Sequence, residues 1–237
     1  MVQRAKPDMS AAASAAGRKT VAAATRPKVL ITGFDAFGGD AINPSWLAVK
    51  ALQGRIILGH TVVVAQLPTV FDQSLLALQA MMKLHQPALT ICVGQAGGRN
   101  AISLERVAIN VNDARIADNA GAQPVDTPVV AGAPAAHFST LPIKAMLQAL
   151  QREGISAEVS QTAGTFVCNH VFYGLMHTLA TQRRFRQSRG GFIHVPWLPE
   201  QGTPSMPLAD ITRGLKLAVR TALTTHADAV VGAGAES

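Results

Sequence analysis

The run Val29-Leu-Ile-Thr-Gly-Phe-Asp-Ala-Phe-Gly-Gly39 decides the architecture. Val29–Thr32 has the composition of a short buried strand, and it ends in a turn rich in glycine. Asn43-Pro44-Ser45 then carries the marks of a helix start, with an amide side chain to cap the first turn and proline where its missing N–H costs nothing. Strand, Gly-rich turn and helix make up the opening of a βαβ unit. Further along, Thr61–Ala65 reads as a second strand, 72–84 has helical periodicity, and Leu89–Val93 is a third strand stopped by Gly94. Residues 104–111 alternate like a single half-buried strand, and 112–137 have the Asp, Asn, Gly and Pro of a loop. Pro142–Arg152 reads as helix, Ala157–Ser160 as strand, Asn169–Thr181 as helix, Phe192–Val195 as strand and Leu208–Thr225 as a last helix. Strands alternating with helices predict an α/β fold with a mainly parallel, twisted sheet covered on both faces. Ligands in that architecture sit beyond the carboxyl ends of the strands.

Composition narrows the function. Of the 237 residues, 48% are apolar and 15% charged, enough to bury a core without disulfide or metal staples. Six of the 21 Lys and Arg fall in residues 1–28 against the single acid Asp8, so most of the net charge of +7 belongs to the N-terminal stretch. A basic folded face for nucleic acid is therefore not expected, and the short run Arg183-Arg184-Phe-Arg186 reads as a solvated helix end. Residues 1–26, rich in Ala and Ser and without an apolar block, are expected to form a disordered basic tail ahead of one domain over 27–237. No apolar run has the length of a membrane span. Two cysteines, no CxxC and no secretory signal point to a soluble protein of the reducing cytoplasm.

The strongest chemical signal is Ser160-Gln-Thr-Ala-Gly-Thr-Phe-Val-Cys-Asn169, a strand end and a turn of small residues leading into a helix that opens at Cys168. A thiol there meets the positive end of the helix dipole, which favours thiolate, and the first-turn amides can hold an oxyanion. A buried capping cysteine fits the same pattern. Cys92, inside the apolar run 88–94, reads as core. Among seven histidines, His194 stands out because it lies near the carboxyl end of a short apolar strand, where an acid/base partner is needed. Glu105 is the leading carboxylate to orient that imidazole, with Asp113 and Asp118 as rivals. An ordinary ion pair of Glu105 with Arg99 or Arg106 is the competing interpretation. Gly94-Gln-Ala-Gly-Gly-Arg99 lacks the spacing of a phosphate loop, and no metal-ligand pattern is present, so no cofactor is expected.

Taken together, Gly33–Asp40, Asn43-Pro-Ser45, Glu105–Asn110, Ala114–Asn119, Gly164–Asn169 and His194–Gln201 closely resemble the pyroglutamyl peptidase I family of cysteine peptidases, over roughly Pro27 to Arg220. The resemblance implies an α/β/α sandwich without cofactor, often assembled as a homotetramer or dimer. It also implies an exopeptidase acting on peptides with an N-terminal pyroglutamyl (5-oxoproline) residue. Carried over block by block, Cys168 is the nucleophile, His194 the base, Glu105 the orienting acid and Arg115 a group near the oxyanion. Phe34, Phe37, Ile116, Phe166 and Val167 would enclose the lactam ring, while Asn43 and the backbone at Gln95 would meet its polar edges. Three departures stand out: Asp35-Ala36 for Glu-Pro, Ala117 for Pro, and His170 for Asp. The last leaves the electrostatics beside the thiol open.

Overall fold

The computed structural model describes residues 1–2 and 26–234. Apart from its ends, the tail expected over 1–26 lies outside the described residues. Chain order runs β1 (Lys28–Phe34), α1 (Pro44–Lys50), β2 (Ile56–Ile57), β3 (His60–Leu67), α2 (Gln73–His85), β4 (Leu89–Gln95), β5 (Ile102–Glu105), β6 (Val107–Ile109), β7 (Ala136–Phe138), α3 (Ile143–Arg152), β8 (Ala157–Ser160), α4 (Val167–Thr181), β9 (Arg189–Val195) and α5 (Leu208–Thr224). Seven strands form one sheet in the order β2-β3-β1-β4-β9-β5-β8, and β6 and β7 form a separate two-stranded ribbon.

The fold is α/β, with the mostly parallel sheet the alternation predicts. Strands β3, β1, β4 and β9 run parallel. At one edge β2 joins β3 antiparallel, and at the other β5 pairs antiparallel with β9 while β8 runs parallel to β5. One expectation needs correction. Residues 104–111 are not one strand: pairing breaks at Arg106, with β5 in the main sheet and β6 in the ribbon. Period-2 alternation looks the same whether a segment serves one sheet or two.

Alternation also sorts the two cores. Val29, Ile31, Ile91, Val93, Leu104, Ile193 and Val195 face one side and pack under α1, α3 and α5. Leu30, Phe34, Cys92 and Phe192 face the other side and pack under α2 and α4. Helices on both faces give three layers. The run 183–186, expected as a solvated helix end, is a short 3-10 turn (Arg183–Phe185) with Phe185 buried in the second core. No helix among the described residues is long and apolar enough to cross a membrane.

Candidate active site

The first βα turn shows how the chain builds the pocket. At Gly33 a Cβ would lie 2.7 Å from the Trp46 backbone, so only glycine lets α1 start against the end of β1. Asn43 caps α1 as its sequence suggests: its Oδ1 accepts from the Ser45 amide at 3.1 Å, and its Nδ2 donates to the Asp35 carbonyl at 2.8 Å. The Asp35 carboxylate accepts from the Thr69 amide at 2.7 Å, tying this turn to the loop after β3. Phe34 and Phe37 are thereby held at the carboxyl edge of the sheet. Phe37 faces Phe166, with ring centroids 5.8 Å apart, and Phe71 meets Phe166 edge-on at 5.3 Å.

Helix α4 brings in the thiol. Its N-cap is Phe166, which has no capping side chain, so the first-turn amides around Cys168 are not satisfied locally. The buried Asn169 fixes the helix start by bonding to both the N–H and the C=O of Ile109 on β6 and to the Val111 carbonyl. Cys168 Sγ lies above Gly94 of β4, where a Cβ would come within 2.8 Å of the sulfur. Gly94 is directly opposite His194 on β9. The imidazole and the thiol thus face the same cavity, of about 160 Å³, lined by Phe34, Phe37, Asn43, Thr69, Gln95, Ala163, Phe166, Cys168 and His194.

The reversed direction of β5 explains the position of the carboxylate. Ser103 stands opposite His194, so Glu105, two residues on, lies further into the sheet and is fully buried. Glu105 Oε1 accepts from His194 Nδ1 at 2.7 Å and from Arg99 at 3.0 Å. The histidine partner and the ion pair that the sequence left as alternatives are both made, on one oxygen.

The expected thiolate needs correction. Burial pushes the Cys168 thiol up to about 12, the Glu105 charge acts in the same direction, and only Arg99 opposes them. The helix dipole is worth a fraction of a kcal/mol to about 2 kcal/mol, less than desolvation of an anion takes back. The group in the same cavity placed to take a proton is His194, whose Nδ1 is held by Glu105. Among the described residues no hydrogen bond joins Cys168 to His194, and catalytic hydrogen bonds are commonly long in unliganded sites.

Other expected residues fall elsewhere. Val167 is fully buried in the core beneath α4. Arg115 and Ile116 are exposed on the 113–119 loop and are not part of the pocket wall. Asp118, a rival to Glu105, accepts from the amides of Phe71, Ala120 and Ala122 and serves to shape that loop. His170 turns away from the thiol: Nδ1 meets Asn112 Oδ1 at 3.0 Å, and Nε2 accepts from the Asp72 amide at 3.2 Å. Burial holds its pKa below the usual histidine range, with Asp72 opposing, so it is a neutral brace behind Phe71. Thr69 and Ala163 line the pocket without having been singled out. Thr69 follows Pro68 just past the second strand, on the edge where ligands were expected, and that position was its only signal. No three His, Cys, Asp or Glu side chains among the described residues converge as a metal-holding group.

Comparison with known proteins matches this geometry to one family. The model of the pyroglutamyl peptidase family matches residues 27–225. A pyrrolidone-carboxylate peptidase of Cupriavidus taiwanensis is 57% identical over 207 residues, covering 85% of this chain and 95% of that protein. One from Klebsiella pneumoniae is 57% identical over 212 residues, covering 87% and 98%. The crystal structure of pyroglutamyl peptidase I from Bacillus amyloliquefaciens superposes with a TM-score of 0.85 at 51% identity, covering 88% of this chain and all of that one. The chain belongs to the pyroglutamyl peptidase family.

Proposed function

We propose that this protein removes N-terminal pyroglutamyl residues from peptides as a cysteine exopeptidase, with Cys168 as nucleophile, His194 as general base and acid, and Glu105 as the group that orients His194. One observation carries the reading: a thiol at the start of a helix shares a small aromatic cavity with an imidazole whose far nitrogen is held by a buried carboxylate. The Cys168 proton passes to His194 Nε2, and the sulfur attacks the pyroglutamyl carbonyl carbon. The oxyanion is held by the free first-turn amides of α4, including that of Cys168. As the tetrahedral intermediate collapses, the C–N bond breaks and His194 gives its proton to the departing amine, leaving a thioester. Water then attacks the thioester, His194 takes its proton, and 5-oxoproline leaves as the sulfur is released. Arg115, exposed on its loop, contributes to the oxyanion only by swinging inward.

Substrate selection follows from the wall. A flat, neutral lactam suits the faces of Phe34, Phe37 and Phe166, and its N–H and C=O seek the Gln95 backbone and the remaining N–H of Asn43. A site built to hydrogen-bond such groups rejects an analogue that lacks them by ~10⁴-fold or more. The activity belongs to a single domain over 27–237. Cytoplasmic residence and assembly as a dimer or tetramer come with the family resemblance.

Pyroglutamyl-, prolyl- and alanyl-anilide reporters presented to the wild type and to Cys168→Ala test the proposal. The wild type is expected to turn over the first reporter alone, and the variant to lose about 10⁴-fold or more. Comparable turnover of the prolyl reporter, or an active Cys168→Ala, rejects it.

A further inference from the structure

Arg99 has no part in the chemistry just described, yet it touches the most deeply buried charge of the site. It leaves the loop that follows the pocket residue Gln95. One guanidinium nitrogen donates to Glu105 Oε1 at 3.0 Å and another approaches the Thr162 carbonyl at 3.4 Å, in the turn that leads to Ala163 and Phe166. Glu105 is fully buried, and its second carboxylate oxygen has no hydrogen-bond partner. An ionised carboxylate in that position is costly unless a charge offsets it. His194 supplies a hydrogen bond to it but not a fixed charge. The only ion pair that Glu105 makes with a permanently charged group among the described residues is the one with Arg99.

We propose that Arg99 is a positioning residue of the active site: its guanidinium is the standing counter-charge that keeps Glu105 ionised and aimed at His194, and with it the proton path to Cys168. Without it the buried carboxylate has no fixed counter-charge and its Oε1 is free to turn from His194, which then loses the partner that fixes its tautomer. The Glu105 charge then acts on the thiol with no fixed positive charge to oppose it. The groups facing Cys168 are Glu105 from β5, His194 from β9, Cys92 from β4 and Arg99 from its loop. Arg99 is the only one of them with a fixed positive charge. Its contact with Thr162 also joins the turn before α4 to the carboxylate, so the nucleophile's helix and the orienting acid keep one relative placement. The role is defined through Glu105 and rests on the mechanism proposed above.

The test compares Arg99→Met, which keeps much of the side chain's bulk, with Arg99→Lys, which keeps the charge. Two readouts are followed against pH: turnover of the pyroglutamyl reporter and the rate of Cys168 alkylation by iodoacetamide. In Arg99→Met, kcat is expected to fall tenfold to a hundredfold with KM within about threefold. The pH dependence of alkylation should move up by about one unit, a tenfold change in thiolate at fixed pH. Arg99→Lys is expected to recover most of both. A purely structural arginine would lower thermal stability in Arg99→Met and leave the alkylation profile of the folded fraction unmoved, and that result overturns the proposal. So does a lysine variant no better than methionine. If Arg99→Met does not fold, the lysine variant alone decides: an alkylation profile within 0.3 units of wild type, together with at least a third of its kcat, supports the charge role, and anything less overturns it. Activity surviving in Cys168→Ala would mark failure of the underlying mechanism, whatever Arg99 does.

Discussion

Cys92 and Cys168 lie over the same face of the sheet, and each thiol is pushed up to about 12. Around Cys92 the cause is burial: the side chain points from β4 into the second core and is completely enclosed. Around Cys168 the Glu105 charge adds to burial and Arg99 opposes both, because the sulfur borders a cavity that also holds His194. The two positions along β4 differ by one pleat: at 92 a side chain fills the space, and at 94 glycine leaves it to the incoming sulfur. Under the mechanism proposed above, similar resting acidities with opposite fates place reactivity in the neighbours. A thiol that is hard to ionise becomes useful only when an imidazole next to it can take the proton, and only one of the two has such a neighbour.

The strongest way to break that contrast is to remove the neighbour. His194→Ala should lower kcat by about 10²–10⁴-fold, the usual worth of a positioned proton shuttle. Its alkylation profile sharpens the point. A thiol with a raised pKa is neutral across the physiological range and yields more thiolate as pH rises. Alkylation of His194→Ala should therefore be slower than wild type below the alkaline limb, because the imidazole that can take the proton is gone, and should approach wild type only where free thiolate forms in both. A variant alkylated as fast as wild type at neutral pH would mean that His194 does not take the Cys168 proton.

A smaller effect is expected from making the two pleats alike. Gly94→Ala places a methyl 2.8 Å from Cys168 Sγ and 2.9 Å from the Phe192 ring. Overpacking of this kind costs roughly 1–3 kcal/mol. The sulfur must move as well, and a small misplacement of a reacting atom lowers kcat/KM by about a hundredfold. Steady-state kinetics beside a thermal melt separate the two contributions; an unchanged kcat/KM would show that the sulfur does not depend on the gap at Gly94.

These neighbours also show what the sequence could and could not reveal. The strand 29–32, its Gly-rich turn, the cap at Asn43, the helix under Cys168 and the strand of His194 were legible because periodicity and turn chemistry are local. The break at Arg106 was not, since the ribbon partner of β6 lies some thirty residues away at Ala136–Phe138. Nor was the depth of Glu105, which follows from β5 running against β9. The raised thiol was misjudged for a related reason: a helix start is visible in sequence, but the burial and the carboxylate that outweigh its dipole come from β5, more than sixty positions away. Arg115 and Ile116 came from family resemblance alone, and the 113–119 loop carries both outside the pocket wall. Thr69 was missed because nothing in Pro68-Thr69-Val70 marks a pocket residue except where the strand before it ends.

The smallest predicted effect tests the quiet side of the comparison. Cys92→Ala removes a sulfur from a closed core and should lower stability by about 1 kcal/mol, a shift of roughly 2–4 °C in Tm for a chain of this size, with kcat/KM within twofold of wild type. Cys92→Ser is the more informative substitution. A hydroxyl buried without a partner ordinarily costs about 1–3 kcal/mol. Thr32, however, is the Cα partner of Cys92 across β1 and β4, and its buried hydroxyl has no partner except the Cys92 thiol, which it draws down against the effect of burial. A serine there can pair with it, so Cys92→Ser should be no less stable than Cys92→Ala even though it places a polar atom in the core. If serine instead melts well below alanine, the two side chains do not meet, and the space around Cys92 is more tightly closed than this pairing requires. If either variant loses tenfold in kcat/KM at an unchanged Tm, the packing under β4 reaches the pocket, and the two regions cannot be treated as separate.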